Sequence, residues 1–526
     1  MPGQMVPVGP FLGGLNTFSD PSAIADNELV IATNVELDLD GSLKSRPPFI
    51  DASINFPLGA TGNINLLGYY YDSSGSPFLL ASNGLNNTYF FTGSAWVSIF
   101  GAGGTAFAAT AMTQYDNKAW LVAPVGSSGS TYGGYWVPGG TFGTFTSQPN
   151  MPKGDYIANF QERLWVGRNT DSILYYSNVF ADPAGMWVAS PENAVIGTGD
   201  GQSIVQLVVY FNTLLIFRSR SIWSWSYGTA RPQDGTISQV VGGIGLSSKE
   251  SIAQFESYVY FMFEDRAYEF TNGRAAHLNI KVPFRAGSQS GIYLPFAVSE
   301  LNRRIIFSYY DTMYVFNLVT RTWTTWVTSQ YGSIGKIFKR ESDSTDTVAY
   351  THSSTVVTGA TRNAKTINIS DTLPAATSSS PNFGGEAMSC VVQTKNMDYN
   401  LASQYKRLFW WGVDASFRGT VTAIAAPITY SQQITWGQLL STTWGGLLNF
   451  TWGQPQTPQI LIQTVRSTTG LAPGRQFLKF LKSARFRQIY FKLTTTTTGT
   501  TSTAPVRIFH IHTYVGIKQI VSKPIT

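Results

Sequence analysis

The sequence predicts an all-β protein built on a β-propeller of about six blades, seven being the alternative, with an N-terminal arm and a C-terminal β-sandwich-like domain. Three observations predict it: a composition suited to short strands and tight turns, a local pattern that recurs at intervals of 44 to 51 residues, and a strand-rich region beyond the last repeat.

Of the 526 residues, 43% are hydrophobic, 14% aromatic and only 13% charged, where an average domain is about 25% charged. Polarity rests instead on Ser, Thr, Asn, Gln and 50 glycines. Aromatic and Thr side chains fit a pleated surface and Gly fits turns, so many short strands and few helices are expected. A chain of this length should hold two or three domains. Its formal charge of +6 is a weak bias, so a nucleic-acid reader would have to concentrate its basic residues locally. The single cysteine, Cys390, excludes an intrachain disulfide and reads as a small buried hydrophobe. The opening MPGQMVPVGPFLGG lacks the basic and apolar regions of an export signal, and no run approaches the roughly 18 apolar residues of a membrane span. Folding in a reducing cytosol is the expectation.

In the repeat, an aromatic or aliphatic residue precedes a short polar turn and then an apolar strand. It occurs at Tyr115 (YDNKAWLVA), Phe160 (FQERLWVG), Phe211 (FNTLLIFR), Phe255 (FESYVYFMF) and Leu301 (LNRRIIFSY), at steps of 45, 51, 44 and 46 residues. A further step back reaches Tyr70, followed by a longer turn in YDSSGSPFLLAS. A second hairpin follows each turn, giving about four strands per unit, which is the content of a propeller blade. One blade exposes two apolar faces, and only a closed ring covers them all. The anchors place blades between about residues 60 and 330, and the stretch 331–357 reads either as a seventh blade or as the strand that closes the ring.

The expected organisation is an arm and hairpin over residues 1–58, the propeller over 59–359, a linker over 360–384 and the C-terminal domain over 385–526. In the arm, residues 35–43 alternate around Asp40-Gly41, a hairpin signal. Asp38 and Asp40 also resemble the start of a calcium loop, but Lys44 and Arg46 stand where a further acidic ligand is needed. The linker, with LPAATSSSPNFGG, is rich in Ser, Thr, Ala and Pro. In the C-terminal domain TWG recurs at Trp436, Trp444 and Trp452, in equal steps of eight. These rings either dock on a partner subunit or pack into their own sandwich. The basic cluster RQFLKFLKSARFRQIYFK, residues 475–492, holds alternation from Arg485 through Leu493 that reads as a strand with Arg487 on one face, with subunit contact, base stacking and a solvated face as its readings. Trp436, Trp444, Trp452, Arg485 and Arg487 are the candidate interface residues.

Catalytic patterns are not found: the sequence has no G-x-S-x-G, Walker-type loop, H-E-x-x-H or CxxC. His510 and His512 alternate on one strand as a possible metal pair, with no Cys or carboxylate close in sequence to complete it. Gly242, Gly243 and Gly245 have the look of a phosphate loop, but no lysine follows at the needed position, and they read as a turn between blades. Asp155, Glu162, Glu264 and Asp265 are the carboxylates a propeller glycosidase would draw on. The expectation is a protein that is not an enzyme and uses no metal or cofactor.

The segment GGLNTFSDPSAIADNELVIATNVELDLDGSLKSRPP resembles the opening of tail proteins of tailed bacteriophages, through Gly13, Gly14, Asn34, Gly41, Leu43, Arg46 and Pro47. FQERLWVGR, VVYFNTLLIFRSRSIWSW and GLSSKESIAQFESYVYFMFEDRAYEF look like propeller units of the phage nozzle group, also called tail tubular protein B. The resemblance covers the chain to about residue 330. It implies a virion protein of the tail, assembled in the host cytoplasm as a homo-hexameric ring. Phage DNA would pass through without sequence-specific binding, and adaptor (head-tail connector) and tail fibre proteins would attach. A minor tip protein of a long-tailed phage and a carbohydrate-binding propeller that recognises a host glycan stay open beside it.

Overall fold

A computed structural model of the chain describes residues 4–46, 49–55, 64–83, 87–100, 106–126, 132–139, 143–179, 185–197, 199–249 except 227–234, 251–284, 296–299, 303–309, 312–327, 336–339, 346–350, 365–369, 389–399, 406–416, 420–428, 461–465, 476–480, 484–486, 488–496 and 507–517. Among these residues there is no α-helix, and hence none long and apolar enough to cross a membrane. The chain divides into two compact units: Met1–Pro48 with Tyr314–Val327 and Thr372–Thr526, and Phe49–Met313 with Thr328–Asp371.

The second unit is a series of four-stranded antiparallel sheets in which strands adjacent in sequence are adjacent in space, a β-propeller-like architecture. The first sheet holds Ile64–Tyr71, Pro77–Asn83, Asn87–Phe91 and Trp96–Ser98. The second holds Ala111–Tyr115, Lys118–Val122, Gly134–Val137 and Thr144–Ser147. Tyr156–Phe160, Arg163–Gly167, Ile173–Tyr176 and Glu192–Val195 make the third. In the fourth are Ile204–Tyr210, Thr213–Arg218, Ser221–Ser226 and Thr236–Gly242. Ile252–Phe255, Tyr258–Phe263, Arg266–Thr271 and Arg274–His277 form the fifth. Phe296–Ser299 then pairs with Arg304–Tyr309. A further sheet joins Lys336–Lys339, Asp346–Tyr350 and Lys365–Ile369 to Phe49–Asn55, so a strand that precedes the first sheet completes the last.

The sequence repeat is the first hairpin of each sheet. Tyr115 pairs with Lys118, Phe160 with Arg163 and Phe255 with Tyr258, each across two turn residues. Such turns follow the twist of their strands when the turn residues take positive φ, and Asp116, Asn117, Gln161 and Glu162 all do. The fourth unit shifts the sequence reading by one residue. Tyr210, not Phe211, ends the strand and pairs with Thr213, while Phe211 sits in the turn at φ 49° and is 67% exposed. Leu301 lies outside the described residues.

The anchors also have a bonding role. The hydroxyls of Tyr70, Tyr115 and Tyr210 donate to the carbonyls of Asn117, Glu162 and Ser257, each 47 residues on, in the first turn of the next sheet. Carboxamides add to these clasps. Gln114 Nε2 donates to the Tyr71 carbonyl at 2.8 Å, and Asn159 Nδ2 donates to the Gln114 carbonyl at 3.2 Å.

The apolar runs after the turns are buried on both faces, as strands covered on two sides must be. In Lys118–Val122, Ala119 and Leu121 pack with Leu66, Tyr70 and Leu80 of the first sheet, while Trp120 and Val122 pack with Ile157, Leu164 and Val166 of the third. Trp165 and Tyr176 of the third sheet meet Leu214 and Trp225 of the fourth, and Phe217 meets Val259 and Phe261 of the fifth. Burying one such side chain contributes about 1.5–3 kcal/mol, which an isolated sheet would forfeit on each open face. First strands lie side by side: Ile64–Tyr71 by Ala111–Tyr115, that by Tyr156–Phe160, and that by Ile204–Tyr210. Ile252–Phe255 lies by Phe296–Ser299, that by Lys336–Lys339, and that by Ile64–Tyr71 again.

In the first unit, two sheets are woven from both ends of the chain. One has the order Gln476–Phe480, Lys406–Ser416, Arg507–Ile517, Leu43–Ser45, Val35–Leu37, with Gln4–Val8 also on Arg507–Ile517 and Ala484–Phe486 also on Lys406–Ser416. The other runs Thr322–Val327, Glu28–Thr33, Ser389–Thr394, Gln488–Thr496, Thr420–Ile428, Leu461–Val465. The rings of Trp411 and Phe491, one from each sheet, lie 5.0 Å apart. Of the segment expected as a separate arm, Met1–Pro48 therefore belongs with the C-terminal sheets and Phe49–Asn55 with the last sheet of the second unit. The strands Val35–Leu37 and Leu43–Ser45, three residues each, are too short to hold together without neighbours.

Candidate interaction surface

Within the first unit, two of the residues that carry the resemblance to phage tail proteins, Asn34 and Arg46, meet at one joint. Asn34, left-handed at φ 56° between Glu28–Thr33 and Val35–Leu37, is buried. Its Oδ1 accepts from Arg46 Nε at 2.9 Å and from the Val327 N–H at 2.9 Å, and its Nδ2 donates to the Ser389 carbonyl at 2.7 Å. Cys390 Sγ donates to the Asn34 carbonyl at 3.1 Å, and the Arg46 guanidinium stands 6.0 Å from the Trp326 ring. Start, middle and C-terminal portions of the unit are thus tied by one side chain. Gly14 and Gly41 fit the same frame: both have positive φ, and a Cβ would come 2.7 Å from Thr322 Cβ at Gly14 and 2.4 Å from Pro10 Cβ at Gly41. Leu43 is buried, and Pro47 lies outside the described residues.

The calcium-like hairpin is used otherwise. Arg507 Nη2 donates to Asp38 Oδ2 at 3.1 Å and to Asp40 Oδ2 at 2.8 Å, and its Nε donates to Ser42 Oγ at 3.0 Å. The Ser42 hydroxyl and N–H hold the Asp40 carboxyl below its usual range, with Arg507 adding to the effect.

One face of the Lys406–Ser416 sheet collects aromatic side chains. Along Arg507–Ile517, Ile511, Thr513 and Val515 are buried, while His510, His512 and Tyr514 are half-buried on the opposite face. Tyr514 pairs with Trp410 on one neighbour and Met5 on the other. Phe477 and Lys479 alternate outward on the next strand and are exposed. The Trp410 and Tyr514 rings are nearly parallel, 11° apart in tilt with centroids 5.8 Å apart. Phe477 lies 6.1 Å from Trp410 and 5.6 Å from His512, and Lys479 Nζ stands 4.7 Å from the Trp410 ring centre. Phe477 is 48% and Met5 53% exposed. Aromatic rings, Met and a cation grouped on an open sheet face match the make-up of interface cores.

In the second unit, the first strands of the second to fifth sheets line an open-sided cavity of about 340 Å³, with Thr113, Asn159, Gln206 and Gln254 as its polar members. No carboxylate lines it. Lys249 Nζ donates to the Thr110 carbonyl at 3.2 Å, joining the segment before the fifth sheet to that before the second.

Of the five predicted interface residues, Trp436, Trp444, Trp452 and Arg487 lie outside the described residues. Arg485 falls in Ala484–Phe486, in register with Arg407. The strand read through the basic cluster is broken between the two sheets. Of the residues read as a strand from 485 to 493, Ala484–Phe486 pairs with Lys406–Ser416, whereas Gln488–Thr496 runs inside the other sheet with Ile489, Phe491 and Leu493 buried. The sequence did hold the signal for the aromatic face, in RLFWW, FLKF and HIHTY, but cross-strand register decides which of these meet.

The proposed catalytic carboxylates are not brought together. Asp155 is buried and accepts from the Asn169 N–H at 3.0 Å. Glu162 sits in the first turn of the third sheet, and Glu264 and Asp265 sit in the second turn of the fifth, at the other end of the strands. Among the described residues, no three His, Cys, Asp or Glu side chains group as a metal site. His277 bonds Asn279 Oδ1 at 2.7 Å, and Gly245 packs its Cα against the Arg218 carbonyl, where a Cβ would stand 2.3 Å away.

No family model and no curated protein matches the chain. Among solved structures it is similar to the extracellular domain of a putative hybrid two-component system from B. thetaiotaomicron, with TM-score 0.40 and 12% identity over 62% of this chain. The chain spans 40% of that protein's length. It is also similar to the computationally designed Ika8 protein, with TM-score 0.39 and 12% identity over 68% of this chain and 99% of that one. A third is BBS1N, crystallised in complex with ARL6DN, with TM-score 0.39 and 10% identity over 62% and 98%. Likenesses this distant bear on none of the functional readings.

Proposed function

We propose that the protein is a non-catalytic structural component of a bacteriophage tail, a subunit of the nozzle or tail-tube end through which DNA passes and to which adaptor and fibre proteins attach. In this reading its second unit closes into a propeller of about seven blades. The seventh is Lys336–Lys339, Asp346–Tyr350 and Lys365–Ile369 completed by Phe49–Asn55, so that strands from both ends of the unit share one blade and fasten the ring. The first unit is a β-sandwich that shows the assembly its aromatic face.

The observation that carries this reading is the joint at Asn34. Asn34 and Arg46 are residues of the phage-tail resemblance and bond each other there, and Gly14 and Gly41, two more of them, take positive φ in the same unit. The joint thus supports a shared architecture, and with it a shared place in a tail. Low charge and abundant aromatic, Ser, Thr and Asn side chains suit large subunit contacts.

Negative-stain electron microscopy of the purified full-length protein tests the proposal. Rings, with six subunits expected, and labelling of the tail in intact particles by an antibody to the protein support it. A single-subunit species at every concentration, together with unlabelled particles, overturns it.

A further inference from the structure

The geometry points to a second copy of this chain as the occupant of the aromatic face, docked through the rim of its propeller-like unit that carries Phe211. The inference rests on the ring-assembly reading and names the two surfaces that make the ring. Heterologous, head-to-tail contacts need two different and complementary patches on each subunit.

The rim is defined by the tyrosine clasps. Tyr115 bonds the turn at Glu162, and Tyr210 bonds the turn at Ser257, so the first turns of successive sheets stand side by side. Phe211 is in the turn between those two. It is flanked by Glu162 on one side and Glu256 on the other, both exposed. No ion pair forms at either Glu among the described residues, whereas Asp116 one turn earlier is paired with Lys118. Phe211 is 67% exposed and held at φ 49°, a conformation that a bulky side chain rarely adopts and that Asn or Gly would take with less strain. Within its own chain the ring meets the Tyr210 ring edge-on, with centroids 4.7 Å apart, and most of its area stays open to a partner.

The aromatic face is complementary in both respects. Phe477, Trp410 and Tyr514 form an open apolar platform, and Lys479 stands at its edge over Trp410. A Phe flanked by two carboxylates matches an aromatic platform flanked by an ammonium, with the ring as buried anchor and the charges setting register.

The test measures association of the full-length protein by sedimentation velocity at low salt. Phe211→Asn suits the left-handed turn and removes the ring with its Tyr210 contact, two effects of opposite sign that should leave the melting temperature nearly unchanged. It should weaken association at least about tenfold, the effect of losing one buried anchor. Lys479→Glu should weaken association likewise, as should the double variant Glu162→Lys with Glu256→Lys. Mixing those two variants should restore assembly, because each then offers the surface the other needs. Assembly of the wild type that neither Phe211→Asn nor Lys479→Glu alters overturns this interface and leaves the ring reading standing. A wild type that stays monomeric at every concentration overturns both. Unchanged assembly, with Lys479→Glu abolishing binding of a single-stranded oligonucleotide or an anionic oligosaccharide, assigns the face to that ligand and overturns the inference.

Discussion

Arg218, fully buried at the end of Thr213–Arg218, is bonded to Asp200. Its Nη1 donates to Asp200 Oδ2 at 2.7 Å, and Nη2 donates to Asp200 Oδ1 at 2.5 Å, the Gln202 carbonyl at 2.5 Å and Ser172 Oγ at 3.0 Å. Removing one partner of a buried pair leaves the other uncompensated at about 3–5 kcal/mol. Because Asp200 is 35% exposed, the lower end applies, and Asp200→Ala should destabilise the second unit by about 3 kcal/mol in urea unfolding. Arg218→Met in that background should recover part of the loss, since it removes the stranded charge. The Arg218 hydrogen bond, more than any other contact, holds the Asp200 carboxyl below its usual range. A lowered folded value means the stabilisation is complete above the unfolded value, near pH ~4, and disappears as pH falls through the folded one. Asp200→Asn should therefore flatten the acid limb of the stability profile below about pH 4 and leave its shape near neutrality unchanged. Cys390 behaves in the opposite direction: burial pushes its thiol up to about 11. It stays protonated and bonded to the Asn34 carbonyl, so a thiol reagent at about pH 8 should label it in denaturant and leave the folded protein unlabelled.

Among elements, the first hairpin of each sheet is the unit that links blades, and its tyrosine can be tested alone. The Tyr210 hydroxyl donates to the Ser257 carbonyl at 2.9 Å in a part-buried setting, while the Tyr115 bond at 3.1 Å is exposed. Tyr210→Phe should cost about 1 kcal/mol and Tyr115→Phe less, because water replaces an exposed bond readily. The double variant should be additive, since the bonds share no partner. Amide exchange should quicken first at Ser257 and its neighbours in Tyr210→Phe. These hairpins were legible in the sequence because turn chemistry and two-sided burial are local. YDNKAW and FQERLW each mark an anchor, two left-handed residues and a strand buried on both faces. The reading slipped at Tyr210-Phe211, where two adjacent aromatics fit the anchor position equally well and only the pairing with Thr213 decides. It lost more in the basic cluster. Residues 485–493 share one alternation in sequence, yet Ala484–Phe486 and Gln488–Thr496 enter different sheets, a choice made by partners far along the chain. The aromatic face was missed for the same reason: Trp410, Phe477 and Tyr514 are distant in sequence and meet only through register.

At the scale of the molecule, the proposed ring depends on Phe49–Asn55 completing a sheet whose other strands lie some three hundred residues later. Contacts of that span form only after a large loop closes, so the joint between Phe49–Asn55 and Lys365–Ile369 is where the ring should open first. Ile50 and Asn368 are register partners across it, as are Phe49 and Ile369. The double substitution Ile50→Cys with Asn368→Cys should therefore form a disulfide on oxidation. Cys390, the one native cysteine, is buried and should take no part. Closing so long a loop should stabilise the oxidised form on the order of 3 kcal/mol over the same protein reduced, after allowance for strain in the new bond. The comparison is urea unfolding with and without reductant. A ring fastened here gives a higher midpoint only in the oxidised sample and delays exchange in the first sheet as well as the last, because Ile64–Tyr71 lies beside Lys336–Lys339. Failure of the cysteines to pair, or pairing that protects nothing beyond its own two strands, would show that the sheets stand in a row with free ends, and the closed propeller would fall with it.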